Sequence, residues 1–108
     1  MVYVKADVTT LPGKLPRFSE LMKELVPVIA EIQWVLTGAY LNVSGRQESF
    51  VLLWQVPDAN AIFKLGGQVA KNPRLAELLG NIQQCIEPQV ITLMADAPFS
   101  AARSRPAT

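Results

Sequence analysis

The sequence predicts one α+β domain of ferredoxin-like βαββαβ type, with a four-stranded antiparallel sheet that pairs with a second copy into a dimeric α/β barrel. Three observations carry that expectation. A chain of 108 residues is long enough for one core and no more. Its apolar residues alternate in four segments and recur at helical spacing between them. Half of the residues are apolar and only 18% are charged, a thin charged coat for a small monomer with a large relative surface.

The first strand is VYVKADVTT, residues 2–10. Val2, Val4, Ala6 and Val8 fall on one side of it, and Tyr3, Lys5, Asp7 and Thr9 on the other. Pro12-Gly13 then marks a turn, and Pro16 suits the first turn of a helix, where its missing N–H costs nothing. Leu15, Phe18, Leu21, Met22, Leu25, Val26 and Ile29 follow at helical spacing. Pro27 lies inside this pattern and is expected to kink the helix or end it a turn later.

WVLTGAYLNV, residues 34–43, and SFVLLWQV, residues 49–56, read as strands joined by a link short enough for a hairpin. In the second of them Phe50, Leu52, Trp54 and Val56 share one face and Val51, Leu53 and Gln55 the other, so both faces are largely apolar. A further helix follows, with Asp58 as its expected cap, Ile62, Phe63, Leu65 and Val69 as its apolar positions, and Gly66-Gly67 weakening it. Asn72-Pro73 restarts a helix whose buried stripe is Leu75, Leu78, Leu79 and Ile82. EPQVITLMA, residues 87–95, is the fourth strand. Residues 1–100 make the expected domain, and from about Ala101 to 108 periodicity is lost, as in a flexible tail.

In this topology the first and third strands are central and both helical regions cover one face. The third strand is apolar on both faces, so the uncovered face needs a partner, and the simplest is the same face of a second copy.

Composition narrows function more than it names it. The net charge of +1 has no basic block, which argues against nucleic acid. No apolar run reaches the roughly 18 residues of a membrane span. Cys85 is the single cysteine and histidine is absent, which removes an internal disulfide, the commonest general base, the usual zinc ligand and the usual proximal haem ligand. A cytoplasmic protein that needs no cofactor and no metal is the expectation.

Lys5 and Asp7 are the charged pair well inside a predicted central strand, and their i, i+2 spacing sets both on one face. Buried there, each would be costly unless paired, and a carboxylate or amine with a displaced pKa is a candidate acid or base. The plainer alternative is a structural ion pair. Tyr3 extends the same face, and counting alone puts Tyr40, Asn42 and Trp34 on one face of the second strand. With Trp54 and Phe63 these aromatic and amide groups are candidates for the wall of a small-molecule pocket; the alternative for the rings is core packing. Asp58 and Asn60 read as caps, Arg46 as a hairpin-loop arginine and Cys85 as structural.

The turn LPGKLPRF, Pro27 late in the first helix, LTGAYLNVSGRQESFVLLW across the hairpin, Asn72-Pro73 and the closing DAPFS together resemble the NIPSNAP family of the dimeric α/β-barrel superfamily. The proline-glycine turn and the tryptophan late in the third strand are also similar to the antibiotic-biosynthesis monooxygenases. The chain departs from the NIPSNAP pattern where Val4, Ala6 and Val8 stand in place of a Glu-x-Arg-x-Tyr run, and where Leu52 replaces a histidine. The resemblance implies the fold, a homodimer and a cavity in each subunit for a hydrophobic aromatic or polyketide-like molecule. It implies no specific activity, although similar superfamily members act as cofactor-free isomerases, cyclases or monooxygenases. If chemistry occurs, the residues themselves make Asp7 the candidate acid or base, with Lys5 tuning it or holding an anionic intermediate. A non-catalytic dimerisation or interaction module is the alternative.

Overall fold

The computed structural model describes residues 2–44 and 48–99. The order of elements is β1 (Val2–Thr9), α1 (Leu15–Ala30), β2 (Val35–Leu41), β3 (Ser49–Val56), α2 (Ala61–Ala70), α3 (Pro73–Gln83) and β4 (Val90–Ala95). The strands form one antiparallel sheet in the order β2-β3-β1-β4, with β1 and β3 central. This is the ferredoxin-like α+β arrangement that the alternation of periods predicts. Arg46 and the tail from Ala101 lie outside the described residues.

Between β1 and α1 the chain turns at Pro12-Gly13. Gly13 has φ 77, the left-handed conformation that glycine adopts without a steric cost, and the Lys14 N–H donates to the Leu11 carbonyl at 3.0 Å to close the turn. Helix α1 then buries Phe18, Leu21, Leu25 and Ile29, a stripe at spacings of three and four. It runs only three residues past Pro27. Gln33, with φ 69, reverses the chain after the helix and delivers Trp34, whose N–H donates to the Ile29 carbonyl at 3.3 Å. A non-glycine residue in that conformation carries a cost of about 1 kcal/mol, offset here by the seating of Trp34 in the core.

Gly66-Gly67 does not break α2, which continues through both glycines to Ala70. The Asp58 carboxylate accepts the Asn60 N–H at 2.8 Å and shapes the turn before α2. Asn72 caps α3: its side-chain oxygen accepts the Leu75 N–H at 3.2 Å, and Pro73 follows in the first turn. β4 begins at Val90, later than the alternation suggests, because Pro88 interrupts the ladder after the Glu87 N–H has bonded to the Thr9 carbonyl.

The core lies between the helices and the inner face of the sheet. It gathers Val4, Ala6 and Val8 of β1, Leu52, Trp54 and Val56 of β3, the α1 stripe, and Leu75, Leu78 and Ile82 of α3. Leu75 is fully shielded from solvent at 0% exposure. No helix among the described residues is long and apolar enough to cross a membrane.

Candidate functional site

The two faces of β1 have opposite fates. Val4, Ala6 and Val8 point toward the helices and are buried, while Tyr3, Lys5, Asp7 and Thr9 point to the uncovered outer face. Lys5 Nζ lies 3.7 Å from Asp7 Oδ2, and their side chains are 39% and 42% exposed. They stand opposite Leu53 and Val51 of β3 and Thr92 and Val90 of β4, so the ion pair sits in a largely apolar field. Thr9 and Ser49 exchange a hydroxyl hydrogen bond at 3.1 Å at one end of this face. At the other end desolvation holds the Tyr3 phenol above its ordinary value, helped by its hydrogen bond to the Asp96 carboxylate and by that negative charge.

On the inner face the helices and sheet enclose a cavity of about 180 Å³. Val4, Ala6 and Val8 form its floor, and Trp34 and Trp54 meet edge to face beside it, with ring centroids 6.1 Å apart. Ile62 and Leu65 of α2 and Leu79 of α3 contribute from above. Gln89 and Ile91 are exposed lining residues, which sets the opening at the start of β4. None of the lining side chains titrates near neutral pH. The indole Nε1–H of Trp34 is buried with no hydrogen-bond partner among the described residues, a condition that costs a folded protein about 1–3 kcal/mol.

The residues picked out by sequence therefore divide. Trp34 and Trp54 come together at the cavity, whereas Lys5, Asp7 and Tyr3 lie across the sheet from it. Trp34 does not share a face with Tyr40 and Asn42, contrary to simple counting. The pairing of β2 with β3 slips between Leu36 and Gly38, leaving Thr37 as an extra residue whose hydroxyl donates to the Leu53 carbonyl at 3.1 Å. That bulge inverts the alternation, so Tyr40 stands opposite Val51 on the outer face and Asn42 follows it there. Tyr40 folds its ring over Gly38, where a Cβ would come within 2.8 Å of the ring. Phe63 is 82% exposed on the outer side of α2 and takes no part in the cavity.

Sequence reasoning did not single out Gln89 and Ile91 at the mouth. It placed Phe18, Met22 and Leu25 only in a helical stripe, and it left open which face of β1 meets the cavity; the structure turns Val4, Ala6 and Val8 toward it. Among the described residues no cluster of acidic or sulfur ligands is placed to hold a metal ion. Cys85 is buried, with its Sγ 3.5 Å from the Asn81 carbonyl.

A helix-covered antiparallel sheet with a lined cavity on one side and a bare face of aliphatic and charged side chains on the other defines the architecture as ferredoxin-like α+β. Solved structures of that shape include NIPSNAP proteins. A NIPSNAP domain protein from Burkholderia xenovorans superposes with a TM-score of 0.76 at 21% identity, over 92% of this chain and 97% of that one. A NIPSNAP family protein from Agrobacterium tumefaciens gives 0.77 at 19% identity, over 95% and 100%. A putative antibiotic biosynthesis monooxygenase from Deinococcus radiodurans gives 0.65 at 10% identity, over 90% and 93%. The chain thus shares its fold with both groups, the two that its sequence resembles. No family model matches the sequence, and no curated protein matches it.

Proposed function

We propose that the protein is a cofactor-independent homodimer that binds a hydrophobic aromatic or polyketide-like small molecule between its helices and its sheet. The observation that carries this reading is the apolar cavity walled by the Trp34–Trp54 pair. Rings stack on such walls, and a ligand oxygen that reaches Trp34 Nε1 relieves an unpaired donor. The dimer is supported by the outer face, where Val51 and Leu53 surround the Lys5–Asp7 pair without a covering layer.

Acid or base work by Asp7 on a molecule in this cavity is disfavoured, because β1 lies between them. The walls supply position and exclusion of water. That suits monooxygenation, the chemistry in the name of the monooxygenase neighbours, of a substrate that is itself easily oxidised: one atom of dioxygen enters the substrate and the other leaves as water, with the two electrons and two hydrogens that the substrate gives up.

The second reading, a non-catalytic dimerisation module, is favoured by the volume of about 180 Å³, below the roughly 300 Å³ at which drug-sized ligand sites begin. Both tryptophans of the chain line the cavity, so their emission reports on it alone. Titration with substituted phenols and naphthols is expected to give a saturable change. No response to any of them would leave the scaffold reading in place.

A further inference from the structure

The cavity has a neighbour. Between α1 and the β2 side of the sheet lies an apolar groove of about 270 Å³, bordered by Val26, Leu36, Ala39 and Phe50, with Ser19 and Lys23 at its rim. Cavity and groove share three lining residues, Phe18, Met22 and Leu52, so these side chains border both spaces. The three differ in freedom. Phe18 and Leu52 are buried, and the Phe18 ring is held 5.2 Å from that of Phe50. Met22 is only partly buried, and it is unbranched, with several rotatable bonds.

We propose that Met22 is a movable partition, and that the natural ligand is an aromatic compound carrying an unbranched alkyl chain. The ring occupies the cavity beside Trp34 and Trp54, and the chain passes Met22 into the groove. Joined in this way, the two spaces exceed the roughly 300 Å³ of a small-molecule site, which the cavity by itself does not reach. The chain meets Val26, Leu36, Ala39 and Phe50 along its path, and its far end reaches the rim at Lys23. This inference rests on the ligand-binding reading above and adds the shape of the ligand and the residue that selects it.

The test is tryptophan emission titrated with 4-alkylphenols from ethyl to octyl, on the unaltered protein, Met22→Ala and Met22→Ile. Each buried methylene adds about fourfold in affinity. In the unaltered protein that gain is expected to continue through octyl, and Met22→Ala is expected to retain it. Isoleucine fills a similar volume but is stiff at χ1. Met22→Ile is therefore expected to bind ethylphenol within about threefold of the unaltered protein and octylphenol at least tenfold more weakly. Met22→Ile keeps the test intact even if Met22→Ala does not fold. Equal chain-length dependence in Met22→Ile and the unaltered protein overturns the partition while leaving the ligand-binding reading standing. The same holds if the gain in the unaltered protein stops at short chains. Absence of any response, ethylphenol included, overturns both.

Discussion

Leu52 and Leu53 are neighbours on β3 and face opposite ways. Leu52 is buried and touches both the cavity and the groove, whereas Leu53 is half-exposed on the outer face opposite Lys5. The same strand thus builds a finished interior on one side and an unfinished surface on the other. The inner face uses apolar volume and aromatic rings; the outer face mixes aliphatic side chains with an ion pair. The apolar side chains on the bare side are the surface that the proposed dimer would cover.

The sharpest way to separate the two faces is the pair Leu52→Ala and Leu53→Ala. Loss of Leu52 is expected to cost about 2–5 kcal/mol in urea unfolding at any protein concentration, because it opens the core. Loss of Leu53 is expected to cost about 1 kcal/mol or less in the monomer. Its main effect should be a melting temperature that depends more steeply on protein concentration. Equal, concentration-independent losses would break the distinction between the faces.

Asp7→Asn comes next. With the outer face covered, it leaves Lys5 unpaired and is expected to weaken association by about 2 kcal/mol, read by sedimentation, since truncating one member of a desolvated pair is costly. Alkylphenol binding, on the other side of the sheet, should not change. Altered binding with intact association would return Asp7 to the site as a participant.

The inner alternation of β1 and the tryptophan of β3 were legible in the sequence, and so was the order of elements. What was hidden has local causes. Period-two counting assigns faces only while the register holds, and one extra residue at Thr37 moved Tyr40 and Asn42 away from Trp34. Phe63 follows Ile62 directly, so a helix that turns Ile62 and Leu65 inward turns Phe63 out. Which face of β1 meets the cavity could not be read from β3, because both faces of β3 are apolar.

Gly38→Ala probes the bulged region. The new methyl would stand 2.8 Å from the Tyr40 ring, but that ring is 59% exposed and can swing aside. A loss of under about 1 kcal/mol is expected for the monomer; a much larger loss at dimer concentrations would show that Tyr40 is held by the opposing layer.

The smallest effect is confined to alkaline solution. Because the folded state raises the Tyr3 pKa, the native protein keeps its phenol proton when the unfolded chain begins to lose it. Stability is therefore retained below about pH 10, the ordinary tyrosine value, and declines as pH climbs through the folded value. Tyr3→Phe is expected to flatten that alkaline decline in a series of urea melts and to leave the neutral range alone. An unchanged alkaline slope would detach it from Tyr3.

The Thr37 bulge has one more effect, on growth of the sheet. It interrupts the edge at β2, where an incoming strand would find a broken run of hydrogen-bonding groups. The opposite edge, β4, pairs with β1 in unbroken register, and its sequence VITLMA contains no charged or proline residue. Val90, Ile91 and Leu93 are all exposed along it. One edge is blunted and the other is a template, so intermolecular strand addition in a crowded or partly unfolded sample should begin at β4. A lysine at Ile91 or Leu93 is the gatekeeper to install there.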